Sequence, residues 1–444
     1  MLINFSIQNF GSIKDKQTLS FEADKSKHLE DYYVIHKNGL RLLKLGLIYG
    51  ANASGKTTIL NALDFLRTLV LSPKSQKTET FDFEPFLFDE NTPKQNTIFE
   101  IEFIQNNVRY LYEVELNTNA VVREELLAYN PNKSNVFSRT TDLENQVTKI
   151  KFGNKIKIDK ITEQQFENIT LWNNTVLGGF LKINFFAKEL RDTADWFKGY
   201  LKKTIESHAE LESMTSSKLL ESEVTTHSIL QILQQADFNI SNIILNEEIE
   251  VLTNEEMAVL KRTEKRRIDN EEFGGYPFKT LPNNKILSIG YLEFEHSVGN
   301  KKYNLKFEQE SQGTQRYYGF AGLLSLLITD STMYSIDEIE SSLHPDLFQH
   351  FLLSFLVNSK ESQILATTHN REILNNKDIF RNDAIWITDK DNEDCATELY
   401  SLADFDTSVI RDTTNVLNAY KLGKLGGTPN LGDYYIDVED YEDE

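Results

Sequence analysis

The chain has 444 residues, 40% hydrophobic and 11% aromatic; this is enough apolar mass for roughly two to three packed domains and excludes bulk disorder. Its 47 basic residues face 68 acidic ones, and a net charge of −21 argues against a surface that binds nucleic acid broadly, because such a surface repels phosphate. The single cysteine, Cys395, excludes an intramolecular disulfide and fits a reducing cytoplasm, and the longest apolar stretch, FAGLLSLLI at 320–328, is too short to span a bilayer.

The N-terminal MLINFSIQNF alternates apolar and polar residues, which predicts a strand and not a secretion signal; Leu19 and Phe21 continue the two-residue period. LLKLGLIY at 42–49 is a short apolar run bounded by glycine and is read as a buried strand. After Gly55, Ile59, Leu60, Leu63, Leu66 and Val70 recur at helical spacing, so a helix starts near Lys56. Period two returns between 81 and 128 in TIFEIEFI, RYLYEVEL and VVREELLAY, joined by QNN and NTN turns, and predicts an antiparallel β subdomain. Residues 1–160 therefore read as a β-rich first lobe with the glycine loop beside it. Residues 161–285 are helix-prone and charged and are expected as a helical insertion. Within it, KRTEKRR at 261–267 reads either as the solvated face of a helix or as a local basic patch. Residues 286–430 open with the strands KILSIGYLEF and YNLKFEQ; from 314 to about 388 helices and apolar strands alternate, an α/β pattern. Residues 431–444 form an acidic tail.

Four motifs carry chemistry. Gly50–Thr57 fits G-x-x-x-x-G-K-[ST] between a strand and a helix. Gly50 and Gly55 let the backbone curl so that N–H groups and the helix N-terminus face phosphate oxygens, with Asn52, Ser54 and Thr58 completing the binding loop. Lys56 reaches the β- and γ-phosphates of ATP, and Thr57 offers its hydroxyl to Mg²⁺. In TMYSIDEIESS at 332–342, Asp337 is expected to hold Mg²⁺ and Glu338 to position the attacking water; alone, the pair also reads as ordinary acids at a helix start. ESQGTQR at 310–316 places Ser311 and Gly313 at a second helix start. One ATP has a single γ-phosphate, already cradled on one side, so this second anion site is best explained if it caps the nucleotide of another copy; the plainer reading is a serine N-cap. ILATTHN at 364–370 ends an apolar strand in His369, placed to hydrogen-bond a γ-phosphate and sense its loss.

With these parts in this order, the chain resembles an ABC-type ATPase head of the SMC and recombination-repair class. ESQGTQR resembles the ABC signature, with Glu310 where leucine is usual; DEIESSLHP resembles the extended Walker B and D-loop; His369 matches the switch histidine. IQNFGSIKDKQTLSF, YGANASGKTT and LGKLGGTPNLG resemble more closely the bacterial ATPases related to the overcoming-lysogenisation-defect nucleases. The resemblance is thin across the helical insertion. It implies an α/β P-loop NTPase fold of the ABC/SMC type, Mg²⁺-dependent ATP hydrolysis, and a homodimer or higher homo-oligomer that shares ATP between copies. It further implies a role in anti-phage defence beside a separate effector, a nuclease or toxin, with a phage protein or DNA as trigger and no membrane partner. The nuclease relatives carry a Toprim domain after the histidine, and the stretch after His369 is too short for one. DKDNED at 389–394 brings Asp389 and Asp391 to a D-x-D spacing and is read as a polar hairpin turn, not a metal site. The alternative function is a DNA-repair-type head acting on DNA with a partner nuclease, which KRTEKRR favours and the net acidity opposes. The long interval between Thr57 and Ser311 disfavours a transporter motor.

Overall fold

The computed structural model describes residues 1–220, 223–236, 238–270, 278–390, 393–405 and 413–429. The first third of the chain forms β1 (Leu2–Gln8), β2 (Gln17–Ser20), α1 (Glu30–Tyr33), β3 (Val34–Lys37), β4 (Leu40–Leu43), β5 (Leu45–Gly50), α2 (Lys56–Leu71), β6 (Thr97–Gln105), β7 (Val108–Leu116), β8 (Val121–Tyr129), β9 (Lys133–Asp142) and β10 (Val147–Phe152). There follow α3 (Lys160–Ile169), α4 (Val176–Phe180), α5 (Lys188–Asp195), α6 (Leu211–Leu219), α7 (Glu223–Gln235), β11 (Ile240–Val251), α8 (Asn254–Asn270), β12 (Phe278–Leu281), β13 (Lys285–Val298) and β14 (Lys301–Lys306). The remainder contributes α9 (Gln312–Thr329), β15 (Met333–Ile336), α10 (Pro345–Asn358), β16 (Gln363–Thr367), β17 (Ile385–Lys390), β18 (Thr397–Ser401) and α11 (Thr413–Lys421).

The alternating segments expected near the N-terminus form one seven-stranded antiparallel sheet in the order β10-β9-β8-β7-β6-β1-β2. Its β6–β7 hairpin turns at Asn106 and Asn107, both at positive φ, the conformation a two-residue turn needs to match strand twist. The apolar face is rich in phenylalanine: Phe5, Phe99 and Phe103 are fully buried, and Phe10 packs on Phe65 of α2. This ring layer joins the β-rich lobe to the helix that follows the glycine loop.

The functional architecture rests on a five-stranded sheet ordered β15-β16-β5-β17-β18. β15, β16, β5 and β17 are parallel and β18 returns antiparallel at the edge. All six residues of β5 are buried, as expected of a central strand covered on both faces. The chain thus holds an α/β core, and β5, β15 and β16 end side by side at Gly50, Ile336 and Thr367. In open α/β sheets the ends of parallel strands are where ligands bind.

Residues 161–285 differ from the all-helical expectation. Alongside α3–α8 they contain the 12-residue strand β11, which pairs with β13 in a separate antiparallel sheet that also holds β12 and β14. KILSIGYLEF therefore builds this sheet and does not extend the parallel one. The segment is also tied to the sheet of the phosphate loop: Leu201 and Ile205 bridge β15, and the Asp337 N–H donates to the Ile205 carbonyl at 2.8 Å. Among the described residues, no helix is long and apolar enough to cross a membrane.

Candidate nucleotide-binding site

Both loop glycines are required by close approach. A Cβ on Gly50 would lie 2.3 Å from Thr388 Oγ1 and 2.4 Å from Ser54 Oγ; one on Gly55, at φ +99°, would lie 2.2 Å from Thr397 Oγ1. A hydroxyl network fixes the loop from below. Ser54 Oγ pairs with Thr388 Oγ1 at 2.6 Å, while Thr397 Oγ1 sits 3.0 Å from the Ser54 carbonyl and 2.7 Å from Ser12 Oγ. Ser12 in turn contacts Thr58 Oγ1 at 3.2 Å. Asn52 and Thr57 are exposed at the mouth, and Ser54 is buried beneath it.

Lys56 is buried, and its Nζ donates to the carbonyls of Gly50 and Ala51, both at 3.0 Å. Burial pulls its pKa below the ordinary lysine value, and the negative charges of Asp337, Glu338 and Glu340 oppose that shift. The ammonium thus sits between the phosphate loop and three acids.

The acidic pair follows β15. Thr57 Oγ1 lies 3.1 and 3.2 Å from the two oxygens of Asp337, and the Thr367 hydroxyl donates to Asp337 Oδ1 at 2.6 Å. The same Thr367 hydroxyl accepts the Glu338 N–H at 2.7 Å. Glu338 stands at φ +47° with its side chain exposed, a left-handed conformation costly for a residue bearing a Cβ. Thr367 thus holds both acids. His369 is exposed, and its N–H donates to Glu340 Oε1 at 2.5 Å; the buried Glu340 Oε2 has no hydrogen-bond partner among the described residues.

The structure therefore brings together Gly50, Ser54, Gly55, Lys56, Thr57, Thr58 and Asp337, with Glu338 and His369 linked in through Thr367 and Glu340. It does not join Ser311 and Gly313 to them. Ser311 N-caps α9, accepting the Thr314 N–H at 3.1 Å. Among the described residues, an added Cβ at Gly313 would meet only Ser311 Oγ, at 3.8 Å. The unusual Glu310 has a partner: its carboxylate lies 2.7 Å from His296 Nε2 on β13, coupling the signature segment to the antiparallel sheet. Sequence reasoning missed Thr367, Glu340, Thr388, Thr397 and Ser12. Thr367 carried a signal, a hydroxyl two residues before His369 at a strand end; Thr388 and Thr397 carried none.

The residues fit a nucleoside triphosphate with a divalent ion. Lys56 is a buried cation beside a loop that admits no side chain at Gly50 or Gly55, and one hydroxyl and one carboxylate face each other at Thr57 and Asp337. Among the described residues no cluster of three or more His, Cys, Asp or Glu could hold a metal by itself. A magnesium ion that takes much of its coordination from substrate phosphate and water needs no such cluster. Beside the loop, a cavity of about 560 Å³ runs along α2 from Thr58 and Gly11, walled by Phe10, Phe65 and Phe83. β17 and β18 pair antiparallel, consistent with the hairpin reading around Asp389; Asp391 and the tail 431–444 lie outside the described residues.

Residues 47–375 match the family described as "AAA domain, putative AbiEii toxin, Type IV TA system". Two solved structures align over 90% of this chain. The SMC head domain from Thermotoga maritima is 12% identical, with 98% of its own chain covered and a TM-score of 0.37. The SmcHead bound to the C-winged helix domain of ScpA is 13% identical, with 97% covered and a TM-score of 0.39. No curated protein matches the chain.

Proposed function

This chain belongs to the AAA-domain family that its residues 47–375 match, and from that premise we propose that it is an ATP-hydrolysing switch that closes as a homodimer over two ATP molecules. The observation that supports the reading is the Thr57–Asp337–Thr367 cluster, a hydroxyl and a carboxylate suited to a magnesium ion at the foot of the phosphate loop, with Glu338 held beside them.

The loop amides of Gly50–Thr58 and the Lys56 ammonium grip the triphosphate, and the nucleoside enters the aromatic cavity beside Thr58. Thr57 and Asp337 hold Mg²⁺, which screens the charge on the phosphate oxygens when bound. Glu338, exposed beside the Thr57–Asp337 pair, orients the attacking water as general base. His369 reads the γ-phosphate, steadied by Glu340 on its N–H. Ser311 and Gly313, open at the start of α9, seal the nucleotide of the other copy. ATP favours the closed pair only if it binds that state more tightly than the open one, and this difference in affinity is what can hold or release a separate effector. We place that effector, a nuclease or toxin, in anti-phage defence in the cytoplasm, with a phage protein or DNA as trigger.

Glu338→Gln tests the reading. ATP binding persists, hydrolysis slows by about 10²–10⁴-fold as for loss of a general base, and ATP-bound dimer accumulates in size-exclusion chromatography with light scattering. A variant that stays strictly monomeric with ATP bound rejects the shared site. One observation favours the second reading, a head acting on DNA: Lys261, Arg262 and Lys265 are exposed along α8. That reading requires ATP-dependent DNA binding that weakens with salt.

A further inference from the structure

The C-terminal LGKLGGTPNLG motif has no part in the site as described so far, yet its turn touches the phosphate loop directly. Gly427 stands at φ +63° against the start of that loop: an added Cβ would lie 3.3 Å from Gly50 Cα, 3.3 Å from the Thr388 carbonyl oxygen and 2.7 Å from Ile387 Cγ2. Gly50 is itself pressed on Thr388, where its own Cβ would lie 2.6 Å from the carbonyl oxygen. The backbones at Gly50, Thr388 and Gly427 thus approach closely, with the Ile387 and Thr388 side chains filling the space a Cβ would need, an approach that favours glycine.

The turn is clamped by two tyrosines. Tyr400 donates its hydroxyl to the Leu425 carbonyl at 2.8 Å, and Tyr420, at the end of α11, donates to the Gly427 carbonyl at 3.0 Å. The Tyr420 ring meets Tyr49, the residue before Gly50, edge-on at 5.9 Å. The Arg371 guanidinium lies 5.7 Å from the Tyr420 ring centre, and Tyr49 donates its hydroxyl to the Asn370 carbonyl at 2.9 Å. One element therefore contacts both the strand that delivers the phosphate loop and the loop that follows His369. It does so from the β17 side of β5, opposite the acids at the end of β15.

We propose that the turn 423–428, delivered by α11, is a positioning element of the nucleotide site, with Gly427 as the point at which it sets the phosphate loop. The proposal rests on the nucleotide-binding reading above. A Cβ at 427 pushes on Ile387 first and on Gly50 and the Thr388 carbonyl next; where the turn or Gly50 gives way by a few tenths of an ångström, the loop amides lose their common aim.

The test compares Gly427→Ala with Gly423→Ala in the full-length chain, titrated with a fluorescent ATP analogue. Gly423 has φ +69°, nearly the same backbone strain, but among the described residues an added Cβ there meets only Thr428 Oγ1, at 3.1 Å. Gly427→Ala weakens ATP binding by about tenfold or more, while Gly423→Ala stays within about twofold of wild type. Gly427→Ala melts lower than Gly423→Ala, because its added Cβ also clashes with Ile387, so both affinities are read well below the two melting temperatures. Equal effects on affinity, or none, overturn the proposal. If Gly427→Ala does not fold, Tyr420→Phe, which keeps the rings and removes the hydroxyl on Gly427, must still weaken ATP binding; wild-type affinity in that variant also overturns it. In the wild-type chain, ATP slows hydrogen exchange at the amides of 423–428, and no change there counts equally against the coupling. A wild-type chain that binds no ATP would overturn the nucleotide reading itself.

Discussion

Thr367→Val isolates the residue on which both acids depend. Threonine and valine have nearly the same shape, so the substitution leaves no cavity at this fully buried position and removes only the hydroxyl. Two hydrogen bonds go with it: the 2.6 Å donation to the Asp337 carboxylate and the 2.7 Å acceptance of the Glu338 N–H. A bond to a charged group contributes about 1.5–3 kcal/mol, and an N–H left unpaired costs about 1–3 kcal/mol. Asp337 keeps Thr57, which offsets part of the first loss, so the net destabilisation is about 2–4 kcal/mol. Glu338 also loses the anchor that holds it at positive φ, a conformation costing about 1–2 kcal/mol. If the bond that aims Glu338 acts mainly in the transition state, kcat falls by about 10–100-fold while KM for ATP changes little. Urea denaturation gives the stability change and steady-state phosphate release gives kcat and KM. A variant that is destabilised but keeps its kcat would refute the assignment of Thr367 as the residue that orients Glu338.

Lys56→Ala removes the buried ammonium and abolishes nucleotide binding in the same fluorescence titration; unchanged affinity would remove Lys56 from the site. Magnesium removal with EDTA weakens ATP binding and abolishes hydrolysis in the wild-type chain, and Asp337→Asn reproduces both effects at saturating magnesium. Lys44 makes the pH prediction. Its ammonium donates to the carbonyls of Leu356 and Ser359 at the end of α10, and burial pulls its pKa from 10.5 down to about 8. Above about pH 8 the native lysine gives up a proton that the unfolded chain holds up to about 10.5, so this group makes stability rise with pH across that window. In Lys44→Met that contribution disappears, seen as the difference between the two melting-temperature profiles; parallel profiles would contradict the shift.

The parts of the site that sequence made legible are those in which spacing alone encodes geometry. In Gly50–Thr57 every requirement is local: a strand that ends, a loop that curls and a helix that begins, so the pattern can be read without a partner. The hydrophobic alternation of β6, β7 and β8 is equally local, and those strands pair in one antiparallel sheet. The hydroxyl network is not local. Thr388 and Thr397 reach the loop only because β17 lies beside β5 and β18 beside β17, a topology no short window contains. β11 escaped for a different reason. Its last five residues, EEIEV, are exposed, so the short alternation of Ile249 and Val251 with acids buries neither face, and the acids resemble a helix surface. Glu310 looked like a departure from the signature; its histidine partner on β13 accounts for it.

Complementation between two inactive variants tests the shared site most directly. Lys56→Ala keeps a sound signature and loses the phosphate loop's cation; Ser311→Arg keeps a sound loop and blocks the signature. Each alone should hydrolyse no ATP. When they are mixed, every mixed dimer contains one intact composite site, so ATP hydrolysis should return. A mixture as inactive as its components, with mixed dimers demonstrated by tag capture in the presence of ATP, would contradict the account.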